Sequence, residues 1–427
     1  MLQSAEPQPP SRFDPARDAA RLLGYAGVTI LMVGAPVLSV VSRRALFVLL
    51  PVGACVLLAA LAITLTRDGL GTLRDLVRQP IALAALGLVC WMGLSIVWTP
   101  YPGVALPHYA ATLVIAALAT LVVAYLPERR ARPALYLLPA GLTVTSLTTL
   151  AMAFLGPDSF RGGSEFDSSL LEHSVLTIVV LVWPALGALA AFGRWVLAIL
   201  LAILVADVVM VAQAPLAMAA FMLGAVTFAL TGDAPRRVAV VIAAVFCGLV
   251  AVAPLLPFAL APLAASIPMV GRSTVAAMQD WRGIVASDPL RLLTGHGLDL
   301  ARFGAALGYL PPHTPRSILF EIWYDLGVVG ALSFAGIFSL GILAASRAAS
   351  FVAPALLGGL VATLSIALFG VATAELWFIT LGSLQAIAFG LLARSSRGDR
   401  PTAVTLDGLP DAAATGATIA ARPALET

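Results

Sequence analysis

Hydrophobic residues along the chain form long continuous runs that are separated by short polar segments. A continuous apolar run of about 20 residues matches a membrane-spanning helix, which satisfies its backbone hydrogen bonds internally. A membrane-spanning strand would instead alternate apolar and polar residues. The predicted spans are 22–41, 45–66, 80–98, 108–126, 134–155, 173–192, 195–212, 215–231, 238–258, 318–345, 351–370 and 373–393. The pattern therefore predicts an all-α polytopic membrane protein with about 12 transmembrane helices.

One polar segment interrupts this pattern between the ninth and tenth predicted spans. Residues 259–317 are expected to form one large loop there, and the weakly hydrophobic region runs from Gly271 to Gly330. Within it, residues 273–287 repeat apolar positions at helical spacing, which predicts a short amphipathic helix at the membrane surface. Asp288-Pro289 is expected to end this helix, and Gly295-His296-Gly297 predicts a tight turn.

Arginine placement predicts the orientation of the helices, because basic residues concentrate in cytoplasmic loops. With the N-terminus inside, most of the 25 arginines lie on the cytoplasmic side. The arginines left outside are Arg43, Arg44, Arg161, Arg272, Arg282, Arg291, Arg302 and Arg316. Both termini are therefore predicted to be cytoplasmic, and the loop 259–317 to be periplasmic. The expected organisation is a disordered tail at 1–21, helices over 22–258, this loop, helices over 318–393 and a disordered tail at 394–427.

Composition supports the membrane assignment and excludes several kinds of chemistry. The chain is 60% hydrophobic and 11% charged, with a mean hydropathy of +0.99, whereas a soluble domain carries about 25% charged residues. Every basic residue is arginine, which excludes a lysine nucleophile or Schiff base. The three cysteines lie in apolar runs and are expected to be buried small side chains. The sequence contains no glycine-rich phosphate loop and no metal-ligand spacing, so we expect neither cofactor nor metal.

The arginines on the predicted outer face are the first candidates for chemistry. A guanidinium presents a planar fork of donors that suits phosphate and pyrophosphate. We expect at least one of Arg161, Arg272 and Arg316 to contact a phosphate of a lipid-linked pyrophosphate. The alternative is that these side chains pair with lipid headgroups or with nearby acidic residues.

Three further residues are candidates for a role in the site. His313 lies in a proline-rich stretch before the tenth span, where a neutral imidazole could take a proton from an acceptor hydroxyl. His296 lies between two glycines, which favours a structural role. Asp207 lies inside the seventh span, where a carboxylate marks either a functional site or a polar contact between helices, with Gln213 or an arginine as partner.

The loop and the start of the tenth span resemble one known family. The similar residues are Gly271-Arg272, Trp281, Pro289, Gly295 and Gly297, His313, the run Glu321–Gly327, and Gly330. On these residues the chain resembles the O-antigen ligase and O-antigen polymerase superfamily of bacterial inner-membrane glycosyltransferases. Twelve spans with a large outer loop between the ninth and tenth are also similar to that family.

The resemblance implies an activity, a location and partners. The activity is metal-independent transfer of a glycan from a polyprenyl-pyrophosphate carrier to an acceptor, such as lipid A core, at the periplasmic face of the bacterial inner membrane. Membrane lipids are the other expected partners, and nucleic acid is not expected. The resemblance implies that Arg161 and Arg272 hold the pyrophosphate and that Trp281 is the tryptophan of the loop helix.

The chain departs from the family pattern at two positions. Where the family often has a His-Asn pair before the tenth span, this chain has Arg316-Ser317, and His313 lies one turn earlier. Where the family commonly has Ser-Arg after the seventh span, this chain has Gln213-Ala214-Pro215. Three alternatives to a ligase remain open at this point: a polysaccharide polymerase, a secondary transporter and a non-catalytic membrane scaffold.

Overall fold

The computed structural model describes residues 15–42, 44–64, 74–75, 77–126, 133–155, 168–266, 272–304, 306–349, 351–370 and 376–397. These ranges are built of helices and short connections and contain no strand. The predicted site residue Arg161 lies outside the described residues, as do most of the two predicted tails. The predicted all-α fold is confirmed for the part of the chain that the structure describes.

The helices follow the predicted hydrophobic runs closely. In chain order they are α1 Pro15–Ser39, α2 Ala45–Thr64, α3 Pro80–Ser95, α4 Pro102–Tyr125, α5 Leu137–Leu155, α6 Ser168–Ala191, α7 Trp195–Val211, α8 Pro215–Thr231, α9 Pro235–Val252, α10 Leu256–Ser266, α11 Arg272–Ser287, α12 Arg291–Thr294, α13 Leu300–Gly304, α14 Ile318–Ala345, α15 Ala353–Phe369 and α16 Leu376–Arg397. Single π-turns interrupt α1 at Ile30–Gly34 and α14 at Ile322–Leu326.

Eight helices among the described residues are long and apolar enough to cross a membrane. They are α1, α2, α4, α5, α6, α9 with its continuation to Pro262, α14 and α16. Four shorter apolar helices, α3, α7, α8 and α15, coincide with the other four predicted spans. The structure therefore supports a polytopic membrane protein, and its apolar helices occupy the twelve predicted positions.

Proline and left-handed residues set several helix boundaries. Pro80, Pro102 and Pro215 each open a helix, where the fixed φ of proline is favourable and its missing N–H costs nothing. Gly193, with φ +67°, separates α6 from α7, and Gln213, with φ +52°, separates α7 from α8. These short connections end one helix and begin the next within a few residues.

The core of the bundle surrounds α6, whose length is almost entirely buried. The Trp183 ring on α6 packs against Gly224 of α8 and Gly358 of α15, where a side chain would leave too little room for it. Gln385 of α16 donates to the carbonyls of Val180 (2.9 Å) and Gly359 (3.3 Å), so one buried amide ties α6, α15 and α16 together.

Several predicted boundaries differ from the structure by four residues or more, among them the starts of α4 and α6. The first helix begins at Pro15 rather than at residue 22, and the apolar helix after α9 continues to Pro262 rather than ending at residue 258. The last helix continues to Arg397 rather than ending at residue 393. The guanidinium of Arg394 donates to the carbonyls of Val123 (3.3 Å) and Ala124 (2.9 Å), which holds this last turn against the end of α4.

Candidate functional site

Residues 272–317, called the loop segment below, pack against one end of the helix bundle. Side chains from the end of α3, the connection that follows it and the start of α4 contact this segment or the start of α14. We call this region the loop end. Helix α11 forms its first part, and the structure confirms the predicted helix over residues 273–287. Asp288 and Pro289 follow directly after this helix, as the sequence predicts.

Helix α11 is fixed to the bundle by its apolar face. Trp281 and Val285 are buried, and the Trp281 ring meets Phe320 of α14 edge-on, with ring centroids 5.7 Å apart. Arg272 and Arg282 on the same helix are exposed. The helix therefore presents its cations outward while its tryptophan anchors it, which is the amphipathic pattern expected from the sequence.

The turn Gly295–Gly297 docks on α14 through backbone groups. The N–H of His296 donates to the carbonyl of Tyr324 (2.8 Å), and the N–H of Gly297 donates to that of Asp325 (3.1 Å). These carbonyls lie in the π-turn Ile322–Leu326, and the backbone then turns at Gly327, whose φ is +63°. A π-turn departs from regular α-helical hydrogen bonding and is frequently found at functional sites.

Glycine is required at both ends of this turn. Gly295 and Gly297 have φ of +75° and +110°, a region that side chains disfavour. A Cβ on Gly295 would lie 2.6 Å from the nitrogen of Leu326, and one on Gly297 would lie 2.6 Å from the Cα of Thr99. The predicted tight turn is confirmed, and close contact on both sides adds to the need for glycine.

His296 is held in the turn by stacking and by one hydrogen bond. Its ring lies 4.0 Å from the Tyr324 ring and nearly parallel to it. Its Nδ1 lies 3.1 Å from the Tyr324 carbonyl oxygen, which can only accept, so Nδ1 carries the proton. Burial lowers the pKa of His296 below its ordinary value. The side chain is thus a neutral ring that supports the docked turn.

A buried contact between an imidazole and a carboxylate joins the loop segment to α4. His108 Nδ1 lies 2.7 Å and 2.8 Å from the two carboxylate oxygens of Asp299, and both side chains are largely buried. Asp299 itself has φ +66°, a conformation that asparagine and aspartate tolerate better than most residues. The carboxylate of Asp325 accepts from the N–H of Ala301 (2.7 Å) and so holds the first turn of α13.

Two further hydrogen bonds complete the docking from α3 and the connection that follows it. Trp91 Nε1 donates to the carbonyl of Leu326 (2.8 Å), and the Thr99 hydroxyl donates to the carbonyl of Leu298 (3.1 Å). The five side chains that make these contacts within the loop end are called the clamp: Trp91, Thr99, His108, Asp299 and Asp325. The clamp makes residues 295–301 a fixed part of the bundle.

Sequence reasoning did not predict the clamp. His108 and Asp299 are 191 positions apart, and no periodic pattern links them. One signal was available, because Glu321 and Asp325 are carboxyl groups within a predicted span, and such groups mark functional or tightly paired positions. Both are buried in the structure, at the π-turn on which the loop segment docks.

The structure brings two of the predicted site residues together and leaves the others apart from them. Trp281 and His296 line one small pocket, whose wall also includes Asp288, Arg291 and Trp323. The remaining candidates in the described ranges are exposed, and they are Arg272, Arg316, His313 and Asp207. Gln213, the predicted partner of Asp207, donates instead to the carbonyl of its own neighbour Met210 (3.2 Å).

Neither a protein-family model nor a curated protein matches the chain. The geometry and charge of the loop end are therefore the observations that bear on its function. Within the described residues, no group of three or more His, Cys, Asp or Glu side chains is placed to hold a metal ion.

The exterior of the loop segment is strongly cationic. All five of its arginines are exposed, and among them Arg291 forms an ion pair with Asp288 (3.7 Å). Arg282 and Arg302 lie over phenylalanine rings, 5.5 Å and 5.1 Å from the ring centroids. Arg272 and Arg316 have no acidic partner among the residues that the structure describes. Their guanidinium groups are free to bind an anion such as a phosphate.

Proposed function

We propose that this chain is an O-antigen ligase-like glycosyltransferase. It moves a glycan from a polyprenyl-pyrophosphate carrier to an acceptor at the periplasmic face of the bacterial inner membrane. The observation that supports the proposal most is the loop segment itself. It carries Arg272 and Arg316, which have no acidic partner among the described residues, on a frame docked at the end of apolar helices, where a lipid-linked anion would lie.

Arg272 and Arg316 bind the pyrophosphate in this proposal, together with Arg161, which lies outside the described residues. Their positive charge neutralises the negative charge that develops on the leaving pyrophosphate, and such electrostatic stabilisation is usually the largest single contribution to catalysis. Burial of Trp281 against Phe320 fixes the helix that begins at Arg272. Preorganised donors lose little free energy to rearrangement when the substrate reacts.

His313 is the base that the sequence suggests for the acceptor hydroxyl. It lies exposed in the turn before α14, where the Thr314 hydroxyl donates to the carbonyl of Pro311 (2.7 Å) and stiffens the chain. Its role stays a prediction. A polymerase would use the same donor and the same chemistry, and would differ in handing the glycan to a second lipid-linked chain.

Transfer by the purified protein in lipid nanodiscs tests the proposal. The donor is the pool of polyprenyl-pyrophosphate glycans extracted from the membranes of the cells that make the protein, and the readout is release of free polyprenyl pyrophosphate. We expect R272A and R316A each to lower kcat by roughly 10²-fold, because each removes charge stabilisation from the leaving group.

The matched control is R236A, which removes an exposed arginine at the start of α9, the end of that helix away from the loop segment. Its rate should equal that of the wild type. Wild-type protein that releases no carrier from this pool and transfers no glycan contradicts the proposed function. Isotope-labelled acceptor separates a ligase, which labels a non-carrier product, from a polymerase, which lengthens the carrier-linked chain.

A further inference from the structure

We propose that His108, oriented by Asp299, is the proton acceptor for the attacking hydroxyl. This inference rests on the proposed function and assigns the base within it. It places the base at the start of α4 rather than in the turn that contains His313. The observations that carry it are the geometry of the His108–Asp299 pair and the burial of the other ring nitrogen.

The contact with Asp299 selects one tautomer of His108. Both carboxylate oxygens lie within 2.8 Å of Nδ1, and a carboxylate only accepts hydrogen bonds. The proton of the neutral ring is therefore on Nδ1, and Nε2 carries a lone pair that can accept a proton. A base held by a third group in this way is the arrangement that activates hydroxyl nucleophiles in many enzymes.

The remaining ring nitrogen is buried and has no hydrogen-bond partner among the described residues. His108 Nε2 is shielded from solvent and makes no hydrogen bond to any described residue. A buried acceptor without a hydrogen-bond partner lowers the stability of a protein by about 1–3 kcal/mol, so such groups are rare in native proteins and often have a functional role. Trp98 Nε1 is a second buried group without a partner in the described ranges, next to the clamp residue Thr99. A substrate hydroxyl would satisfy the acceptor on His108.

The carboxylate of Asp299 contacts the ring that the reaction protonates. Negative charge beside an imidazole stabilises the imidazolium. Asp299 therefore has two roles, because it docks the loop segment on α4 and also orients and stabilises His108.

The step balances without any further reactant. The hydroxyl oxygen attacks the anomeric carbon while its proton passes to His108 Nε2, and the bond from that carbon to the pyrophosphate oxygen breaks. The bonding electron pair leaves with the carrier pyrophosphate, and the ring later returns its proton to solvent. Nε2 is covered in this structure while 12% of the His108 side chain is exposed, so substrate binding includes a side-chain movement that uncovers this nitrogen.

The same nanodisc assay with extracted donor tests the assignment. His108→Ala should lower kcat by about 10²–10⁴-fold, as expected for loss of a general base, with little change in the donor KM. Added imidazole should restore part of the rate, because it can occupy the space of the missing ring. His108→Gln can still donate to Asp299 and preserve the clamp, but it cannot relay a proton, and it should be equally slow.

Two controls separate catalysis from folding. Asp299→Asn introduces asparagine, which tolerates the left-handed backbone at this position. If this variant has a lower kcat that imidazole does not restore, the His108 ring has lost its orientation. His173→Gln makes the same chemical change at another half-buried histidine, on α6, and should leave the rate unchanged. Thermal unfolding of each variant shows whether the bundle is intact.

The outcomes distinguish the two proposals. Inactive wild-type protein overturns the proposed function itself. Active wild type with His108→Gln within twofold of its rate overturns the assignment of the base and leaves the function standing. His108→Ala could instead be slow without rescue by imidazole, with a raised KM and a lowered unfolding temperature. That result would show that the role of His108 is structural, and it would also overturn the assignment.

Discussion

Replacing Gly297 by alanine places a methyl group in a close contact between the loop segment and the bundle. The new Cβ would lie 2.6 Å from the Cα of Thr99, 2.8 Å from its Cβ and 2.9 Å from its nitrogen. Two of these atoms belong to the backbone, so no side-chain rotation relieves the overlap. The φ of +110° is also unfavourable for any residue with a side chain.

The magnitude follows from these two effects. Backbone strain at such a φ costs about 1–3 kcal/mol, and overpacking of a close contact costs a further 1–3 kcal/mol. The sum of about 2–6 kcal/mol opposes docking of the turn, not folding of the helices. At 1.4 kcal/mol per factor of ten, it raises the undocked population of the loop segment between about 30-fold and 10⁴-fold.

Hydrogen–deuterium exchange in nanodiscs measures this population directly. Peptides that cover residues 295–301 contain the amides of His296 and Gly297, which donate to the carbonyls of α14. We expect G297A to exchange there much faster than the wild type, while peptides from α6 stay unchanged.

Two matched variants separate strain from overlap. Gly308 has φ +78° but no atom within 4 Å of an added Cβ, so G308A introduces strain alone in an exposed turn. Gly283 lies inside α11, also with open space around it, and G283A should stabilise that helix by about 0.5–1 kcal/mol. If residues 295–301 exchange no faster in G297A than in G308A, the contact with Thr99 does not hold the turn.

Further predictions concern pH and the bundle. Because burial lowers the pKa of His296 below its ordinary value of about 6.5, the docked turn has its full stability above pH 6.5 and loses it as the pH falls through the lowered pKa. Protection of this turn from exchange, calculated relative to the intrinsic exchange rate at each pH, should therefore be lower at pH 5 than at pH 7 in the wild type, and should fall less in His296→Phe. Gln385→Leu leaves the carbonyls of Val180 and Gly359 without their donor and should cost about 1–3 kcal/mol, measured as a lower thermal unfolding temperature. Arg394→Met should increase exchange in the last turn of α16 alone, and an unchanged exchange rate there would show that its bonds to α4 add nothing.

The helices could be predicted from the sequence because their determinant is local. A membrane-spanning helix is fixed by the length of one apolar run, and proline marks several starts, as at Pro80 and Pro215. The boundaries that differ depend on contacts with other helices. Arg394 extends α16 through carbonyls of α4 about 270 positions away, and nothing near Arg394 in the sequence indicates this partner.

The candidate site was predictable only in part for the same reason. Helical periodicity predicted α11, and the tolerance of glycine for positive φ predicted the turn at Gly295–Gly297. The pairing of His108 with Asp299 depends on how α4 lies beside α14, which is a property of the whole bundle. Local patterns thus indicated the parts of the loop end, and packing decided which side chains meet.

Docking of the loop segment through main-chain carbonyls has a consequence for how this fold can diverge. The hydrogen bonds that the carbonyls of Tyr324 and Asp325 accept belong to the main chain, so these bonds do not themselves depend on which side chains stand at the two positions. The geometry also requires Gly295, Gly297 and Gly327, whose surroundings leave no room for a Cβ. A remote relative would be recognised better by the spacing of these glycines than by overall identity.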